Sequence, residues 1–335
     1  MMMNMGWQNI LDAQEARFGD PESELTAARD ATIIAPLTQF GLIGCVGDDA
    51  GTFLHNQLTS DVNHLEATSA QYAAWCSAKG RMLASLLLFR RDTEYLALLS
   101  ADLREFIEKR LKIYVLRSKV SLIDRSADYG IIGISGPRAI DALGNAGLEA
   151  PTIVLGTSAF ADASVVRLDE TRYLTIVAND AVGRVWEKLS ELAVPVGTPV
   201  WQWLDIRAGI PWIVDATQEA FVPQMAGFDR IGGVSFNKGC YPGQEVVART
   251  RYLGKVKRHL YRTRTAVPLA AGLPVFPVAM PGQVCGQIAN AAAAPDGGFD
   301  ALAVILEDAV GQGELRATLA DGGSVGLSDP VLVYG

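Results

Sequence analysis

Apolar residues recur at helical spacing at the start of the chain and at strand spacing through most of the remainder. Trp7, Ile10, Leu11 and Phe18 predict a helix over residues 4–18, which Gly19-Asp20-Pro21 stops, with an acidic loop running on to about Asp30. Strands are predicted at 31–37 and 40–46. Asp48-Asp49 then caps a helix to about Leu58. Strand-like runs at 71–77, 83–90 and 95–100, a helix from Asp102 to Val115 and a strand at 119–124 complete one round of a split βαβ, ferredoxin-like pattern. A second, fainter round follows: a strand at 129–135, a helix from Pro137 to Asn145, strands near 163–168 and 172–178, and a helix from Asp180 to Leu192. After Arg258 the texture changes. Six short β-prone runs at 258–264, 273–277, 283–289, 300–307, 313–319 and 323–334, broken by Gly, Pro and Asp, predict a small closed barrel.

These elements sort the 335 residues into an N-terminal helix and acidic loop (1–30), an α+β region of two lobes (31–254) and a C-terminal β-barrel (255–335). At 49% hydrophobic and 20% charged the chain can fill real cores. The four cysteines (45, 76, 240 and 285) contain no C-x-x-C and the three histidines (55, 64 and 259) no i,i+4 pair, so no metal site is expected. Wide cysteine spacing fits a reducing compartment. The Met1–Trp7 start lacks the basic and apolar regions of a secretory signal, and no apolar run approaches a membrane span. The expectation is a cytoplasmic protein without membrane contact.

The net charge of −8 argues against a nucleic-acid-coating surface overall. One stretch departs from it. Residues 238–264 hold Lys238, Arg249, Arg251, Lys255, Lys257, Arg258, Arg262 and Arg264 against Glu245, a net of +7 that leaves −15 for the rest. Such a run suits an acidic partner, polyglutamate or RNA, or is one solvated barrel face. Direct RNA binding is disfavoured, because only Tyr252 and Tyr261 offer stacking surfaces there.

The chemistry concentrates in the same region, at Ser235–Arg249. A strand is expected to end at Phe236, the chain to turn at Gly239, and Pro242 to open a helix. Cys240 then sits just ahead of a helix N-terminus, with Lys238 two residues away and Arg249 about two turns along. Each of these surroundings lowers a thiol pKa, which makes Cys240 a candidate thiolate. The alternative, a small buried hydrophobe, describes Cys45, Cys76 and Cys285 better. No histidine is near in sequence, so no Cys–His pair is assigned.

Lys238-Gly239-Cys240-Tyr241-x-Gly243-Gln244-Glu245-x-x-x-Arg249 resembles the signature of the YgfZ-type folate-binding family, a branch of the fold shared with the glycine-cleavage T-protein aminomethyltransferase. Eight fixed positions within twelve make the likeness specific. It extends through Gly47-Asp48, Phe53-Leu54, Gln57-Leu58-Thr59-Ser60-Asp61-Val62, Lys79-Gly80-Arg81-Met82, Ala208-Gly209-Ile210-Pro211, Phe221-Val222-Pro223-Gln224 and Gly254-Lys255-Val256-Lys257-Arg258.

The resemblance implies a three-lobed ring with a reduced folate, tetrahydrofolate or a derivative, in a central channel beside the signature loop. It also implies iron–sulfur client or assembly proteins, tRNA-modifying enzymes among them, as partners. Phe40 and Trp201 are placed near that channel as stacking faces, core packing being the alternative for Trp201. Gln57 and Asp61 come with it as ligand contacts. Lys79 and Arg81 either face an anionic glutamyl tail or are a solvated turn. Gly239 would allow close backbone approach, and Gln244 and Glu245 would hold the loop. The aminomethyltransferases carry an Asp–Asp pair four and five residues after the glycine that matches Gly80; here those positions are Ala84 and Ser85. That difference favours a folate-binding helper of iron–sulfur enzymes working through Cys240. A true aminomethyltransferase and a scaffold docking clients through the basic run are the alternatives.

Overall fold

A computed structural model describes residues 7–15, 18–252, 254, 256–279, 282–319 and 321–334; Met1–Gly6 and Lys255, both used above, lie outside the described residues. Helices α1 (Trp7–Glu15) and α2 (Pro21–Asp30) precede strands β1 (Ile33–Pro36) and β2 (Phe40–Val46). Then come α3 (Ala50–Gln57), β3 (Ala70–Cys76), β4 (Met82–Arg91), β5 (Glu94–Ser100), α4 (Ala101–Lys112) and β6 (Ser121–Asp124). The second round is β7 (Tyr129–Ser135), α5 (Ala139–Asn145), β8 (Thr157–Ala159), β9 (Ala163–Arg167), β10 (Arg172–Ala178), α6 (Val182–Ser190) and β11 (Val194–Pro195). Helices α7 (Thr198–Arg207) and α8 (Gln244–Tyr252) lead to β12 (Arg258–Thr265), β13 (Pro274–Pro277), β14 (Gly286–Ala293), β15 (Phe299–Leu306), α9 (Glu307–Val310), β16 (Leu315–Thr318) and β17 (Ser324–Leu332).

The stretch expected to be an acidic loop is helix α2. The Asp20 carboxylate accepts from the N–H groups of Glu22 and Ser23, and Pro21 occupies the first turn, where its missing N–H costs nothing. Gly-Asp-Pro therefore starts a helix here.

The chain divides into two compact units. One comprises residues up to Ala50, His64–Gln71 and Leu87–Trp201; the other Gly51–Asn63, Tyr72–Leu86 and the chain from Gln202 on. The first unit holds a six-stranded sheet, ordered β11-β1-β7-β10-β9-β8, antiparallel except for the β1–β11 pair. Its core joins Ile34, Ile132, Ile134 and Tyr173 to the apolar face of α6, whose buried Val182, Val185, Trp186 and Leu189 repeat at i, i+3, i+4 and i+7. The first unit also holds an antiparallel array in which Leu87–Arg91 of β4 pair with β5, β5 with β2 and β2 with β6.

In the second unit the last six strands close as β12-β15-β14-β13-β16-β17. Closure leaves no open sheet edge, and Val275, Ile288, Ala301, Ala303, Ile305 and Leu315 fill the interior. The α+β class with a C-terminal six-stranded barrel is as the sequence implied. Among the described residues no helix is long and apolar enough to cross a membrane.

Candidate functional site

Four separate stretches of the chain meet in the second unit around the Lys238–Arg249 loop. The loop itself differs from the expected strand–turn–helix. No strand ends at Phe236, and α8 begins at Gln244, two residues after Pro242. The cause is Gly243, whose φ of +80° lies outside the helical region, so the helix can start only after it. The first intrahelical bond runs from Val247 N–H to Gly243 O (3.2 Å).

Gly243 does more than end the loop. A Cβ there would lie 2.4 Å from Ser77 O and 2.5 Å from Gly80 Cα, so the signature loop rests directly on the backbone of the 77–82 hairpin. Gly80, with φ +70°, leaves equally little room: its own Cβ would meet Val246 Cβ at 2.8 Å. Two motif glycines 163 positions apart form one backbone contact that neither could make with a side chain. From the next turn Arg81 donates to the carbonyls of Glu219 (3.1 Å) and Ala220 (2.7 Å), and Met82 N–H to Phe221 O (2.8 Å). Gln224 completes the frame by donating Nε2–H to Val247 O in α8 (2.6 Å). Arg81 is thus occupied as a brace, while Lys79 is exposed.

Lys238 does not point along the loop toward the thiol. Its buried ammonium donates to the carbonyl oxygens of His55, Leu58 (2.6 Å) and Ser60 (3.0 Å), closing the C-terminal end of α3 from 183 residues away. Helix C-termini leave carbonyls unpaired and favour a cation there. Burial pushes the Lys238 pKa down to about 8, with nearby Asp61 opposing the shift. Nζ also lies 5.1 Å from the centroid of the Tyr241 ring, whose phenol burial holds well above its ordinary pKa.

The same carbonyl-capped turn brings a histidine to the loop. His55 Nδ1 is 3.1 Å from Asp61 Oδ1. His55 Nε2 is the atom nearest to where a Gly239 Cβ would stand, at 4.0 Å. His55 was invisible to sequence reasoning, which looked for histidines only near Cys240 along the chain. A signal did exist: it lies within the Phe53–Val62 stretch that belongs to the same family pattern. Gly239 itself is not crowded by backbone.

Of the four cysteines Cys240 alone is exposed. Burial pushes Cys45 up to about 12 and Cys76 and Cys285 above the usual thiol range. Gln244 donates to Lys238 O at 3.4 Å, Glu245 is exposed, and Arg249 stands exposed in the second half of α8. Next to this frame Gln57 Oε1 and Ser77 Oγ are buried without hydrogen-bond partners, as is Gln224 Oε1 within it. Ala84 is fully buried, and Ser85 Oγ accepts from Ile213 N–H (2.8 Å). Among the described residues no group of three or more His, Cys, Asp or Glu could hold a metal ion.

The two aromatic residues assigned to ligand stacking belong to the first unit. Trp201 is fully buried, its ring against Gly133 at a distance that excludes a Cβ, with the Arg172 guanidinium 5.8 Å from its centroid. These are the surroundings of a core residue. Phe40, at the start of β2, is buried as well.

An α+β chain ending in a closed barrel, with its motif loops braced on one another through paired glycines, defines a protein of the T-protein fold. The solved structure of the glycine cleavage system aminomethyltransferase T from Bartonella henselae matches it with a TM-score of 0.76, covering 92% of this chain and 87% of that one at 18% identity. Residues 1–150 match the family model described as the GCVT N-terminal domain. The tRNA-modifying protein YgfZ of Colwellia psychrerythraea is 33% identical over 233 residues, 69% of this chain and 71% of that protein. Its Klebsiella pneumoniae counterpart is 32% identical over 255 residues, 75% of this chain and 78% of that protein. The chain belongs to the YgfZ family.

Proposed function

We propose that this protein is a folate-binding factor for tRNA modification that acts by sustaining iron–sulfur enzymes, with Cys240 as its working thiol. The observation that carries the reading is the contrast among the cysteines: three are buried and one is exposed, on a loop braced at both ends. Lys238 ties that loop to α3, and Gly243 seats it on the hairpin. The role of Lys238 in this reading is positional. His55, 3.1 Å from Asp61, gives the loop a neighbouring imidazole. One cysteine can supply one of the four ligands of a cubane cluster, so a cluster handled here takes its remaining ligands from a client protein.

A reduced folate fits the residues of this frame. Gln57 Oε1 and Ser77 Oγ are buried polar atoms still in need of partners, and a pterin ring offers both N–H donors and acceptors. Gln57 and Ser77 would hold the ring, and exposed Lys79 would meet the anionic tail. The folate, when bound, supplies one-carbon chemistry; the chain's own part is to bind and orient it. Aminomethyl transfer is disfavoured on this reading. Ala84 and Ser85 provide no carboxylate, and the Ser85 hydroxyl is already engaged with Ile213.

Calorimetric titration with tetrahydrofolate tests the ligand. Saturable binding is expected, weakened about tenfold in Gln57→Ala, the worth of roughly one hydrogen bond. Absence of binding by the wild-type protein would remove folate from the account.

A further inference from the structure

The basic run at residues 238–264 resolves, in the structure, into cations with structural duties and cations without them. Lys238 is spent on the end of α3. The Arg251 guanidinium stacks 4.2 Å from the centroid of Phe236. Arg262 donates to Arg207 O and Arg264 to Gly297 O, both bracing the barrel. Three remain. Arg249 from α8 and Lys257 and Arg258 from the start of the barrel line one cleft of about 540 Å³, together with Met225, Val256 and Leu306.

No carboxylate lines this cleft, and among the described residues none of the three cations has an ion-pair partner. Glu307, which follows the cleft residue Leu306 in sequence, lies 3.9 Å from His259. Arg258 Nε is buried without a hydrogen-bond partner. Burying a charged donor unpaired is costly, so a ligand oxyanion is the partner this arrangement lacks. Three uncompensated cations converging in a chain of net charge −8 mark a built anion site rather than a solvated face.

The surroundings select the kind of anion. Tyr252, one helical turn after Arg249 in α8 (i, i+3), is 65% exposed and packs edge-on against Phe236 (6.3 Å between centroids, 77°), which holds its ring in place. A fixed, exposed aromatic face beside a row of cations is the pairing that binds single-stranded nucleic acid, phosphates on the cations and a base on the ring. Counting aromatic residues along the sequence undervalued Tyr252, because its exposure is a property of the fold. We propose that this cleft binds the phosphodiester backbone of single-stranded RNA, with Arg249, Lys257 and Arg258 on phosphates and Tyr252 beneath a base. The inference does not depend on the folate or thiol reading and fails separately from them.

The test is fluorescence anisotropy of a labelled oligouridylate with the full-length protein across a potassium chloride series. Three phosphate contacts to a single strand give a slope of log K against log salt of about −2, roughly −0.7 per contact. Lys257→Ala, at an exposed position, is expected to bring the slope to about −1.4, and Lys257→Ala with Arg258→Gln to about −0.7. Tyr252→Ala leaves all three cations in place and is expected to weaken binding about fivefold or more at an unchanged slope. Thermal melting of each variant separates lost contacts from lost fold, and the exposed single variants keep the test valid if Arg258→Gln does not fold. No binding by the wild-type protein, or an unchanged slope in folded Lys257→Ala, overturns the proposal. So does displacement of the oligomer by tetraglutamate at equal charge, which would assign the cleft to carboxylates.

Discussion

Replacing Gly243 by alanine tests whether the signature loop is held by the backbone contact with the hairpin. Two costs add. A residue with a Cβ held at φ +80° pays about 1–2 kcal/mol for the left-handed conformation. The new methyl would also stand 2.4–2.6 Å from Ser77 O, Gly80 Cα and Gly80 N, which are backbone atoms of a hairpin that cannot rotate aside. Separating loop and hairpin strains the Arg81 and Gln224 braces, so the total loss is expected to reach about 3 kcal/mol or more, at the upper end for single substitutions. Gly239→Ala is the control. It lies in the same loop, its φ is not left-handed, and the nearest atom to its Cβ is His55 Nε2 at 4.0 Å, an ordinary contact. A change within about 0.5 kcal/mol is expected there. Urea unfolding followed by tryptophan fluorescence reads both. With m of about 1–3 kcal/mol/M, the Gly243 variant should lose roughly 1 M or more in midpoint. A Gly243→Ala midpoint equal to wild type, or equal losses in the two variants, would refute the reasoning.

Two further outcomes follow from the buried and exposed groups of the site. Lys238 releases its proton at about pH 8 when folded but near 10.5 when unfolded, so between these values the unfolded chain binds more protons and stability rises with pH. The stability of wild type relative to Lys238→Met should therefore climb by about 3 kcal/mol across that window and stay level below it; denaturant midpoints that fall together in both proteins would contradict this. Ellman's reagent should find one fast thiol in the native protein, absent from Cys240→Ser, with Cys45, Cys76 and Cys285 reacting only on unfolding. Two or more fast thiols would show that the burial contrast is wrong.

What could be read ahead of the structure follows the range of the interactions. The barrel was legible because each of its six strands carries its own short apolar run and turn residues, although its closure pairs the first strand with the last, which no local run shows. Helix α2 was misread because Gly19-Asp20-Pro21 carries a stop and a start in the same three residues, and only the Asp20 bonds to Glu22 and Ser23 decide between them. Cys240 was legible as the residue of interest, but its neighbours were not. Lys238 is two residues from it in sequence, yet its ammonium goes to α3. His55 is far away in sequence and approaches the loop. Sequence proximity predicts side-chain neighbours inside a helix or strand, and the loop from Lys238 to Gly243 is neither. Trp201 shows the converse: an aromatic residue in a family pattern reads equally as ligand face or core, and only its burial against Gly133 describes which surroundings it has.

The central claim is that Cys240 is the working group of a tRNA-modification factor, and the most direct test is the modification itself. In cells lacking their own YgfZ, the modified fraction of tRNA can be measured by mass spectrometry after supplying wild-type protein or Cys240→Ala at matched levels. The account predicts restoration by the wild type and none by Cys240→Ala, although the variant folds and binds tetrahydrofolate. Full restoration by Cys240→Ala would contradict it.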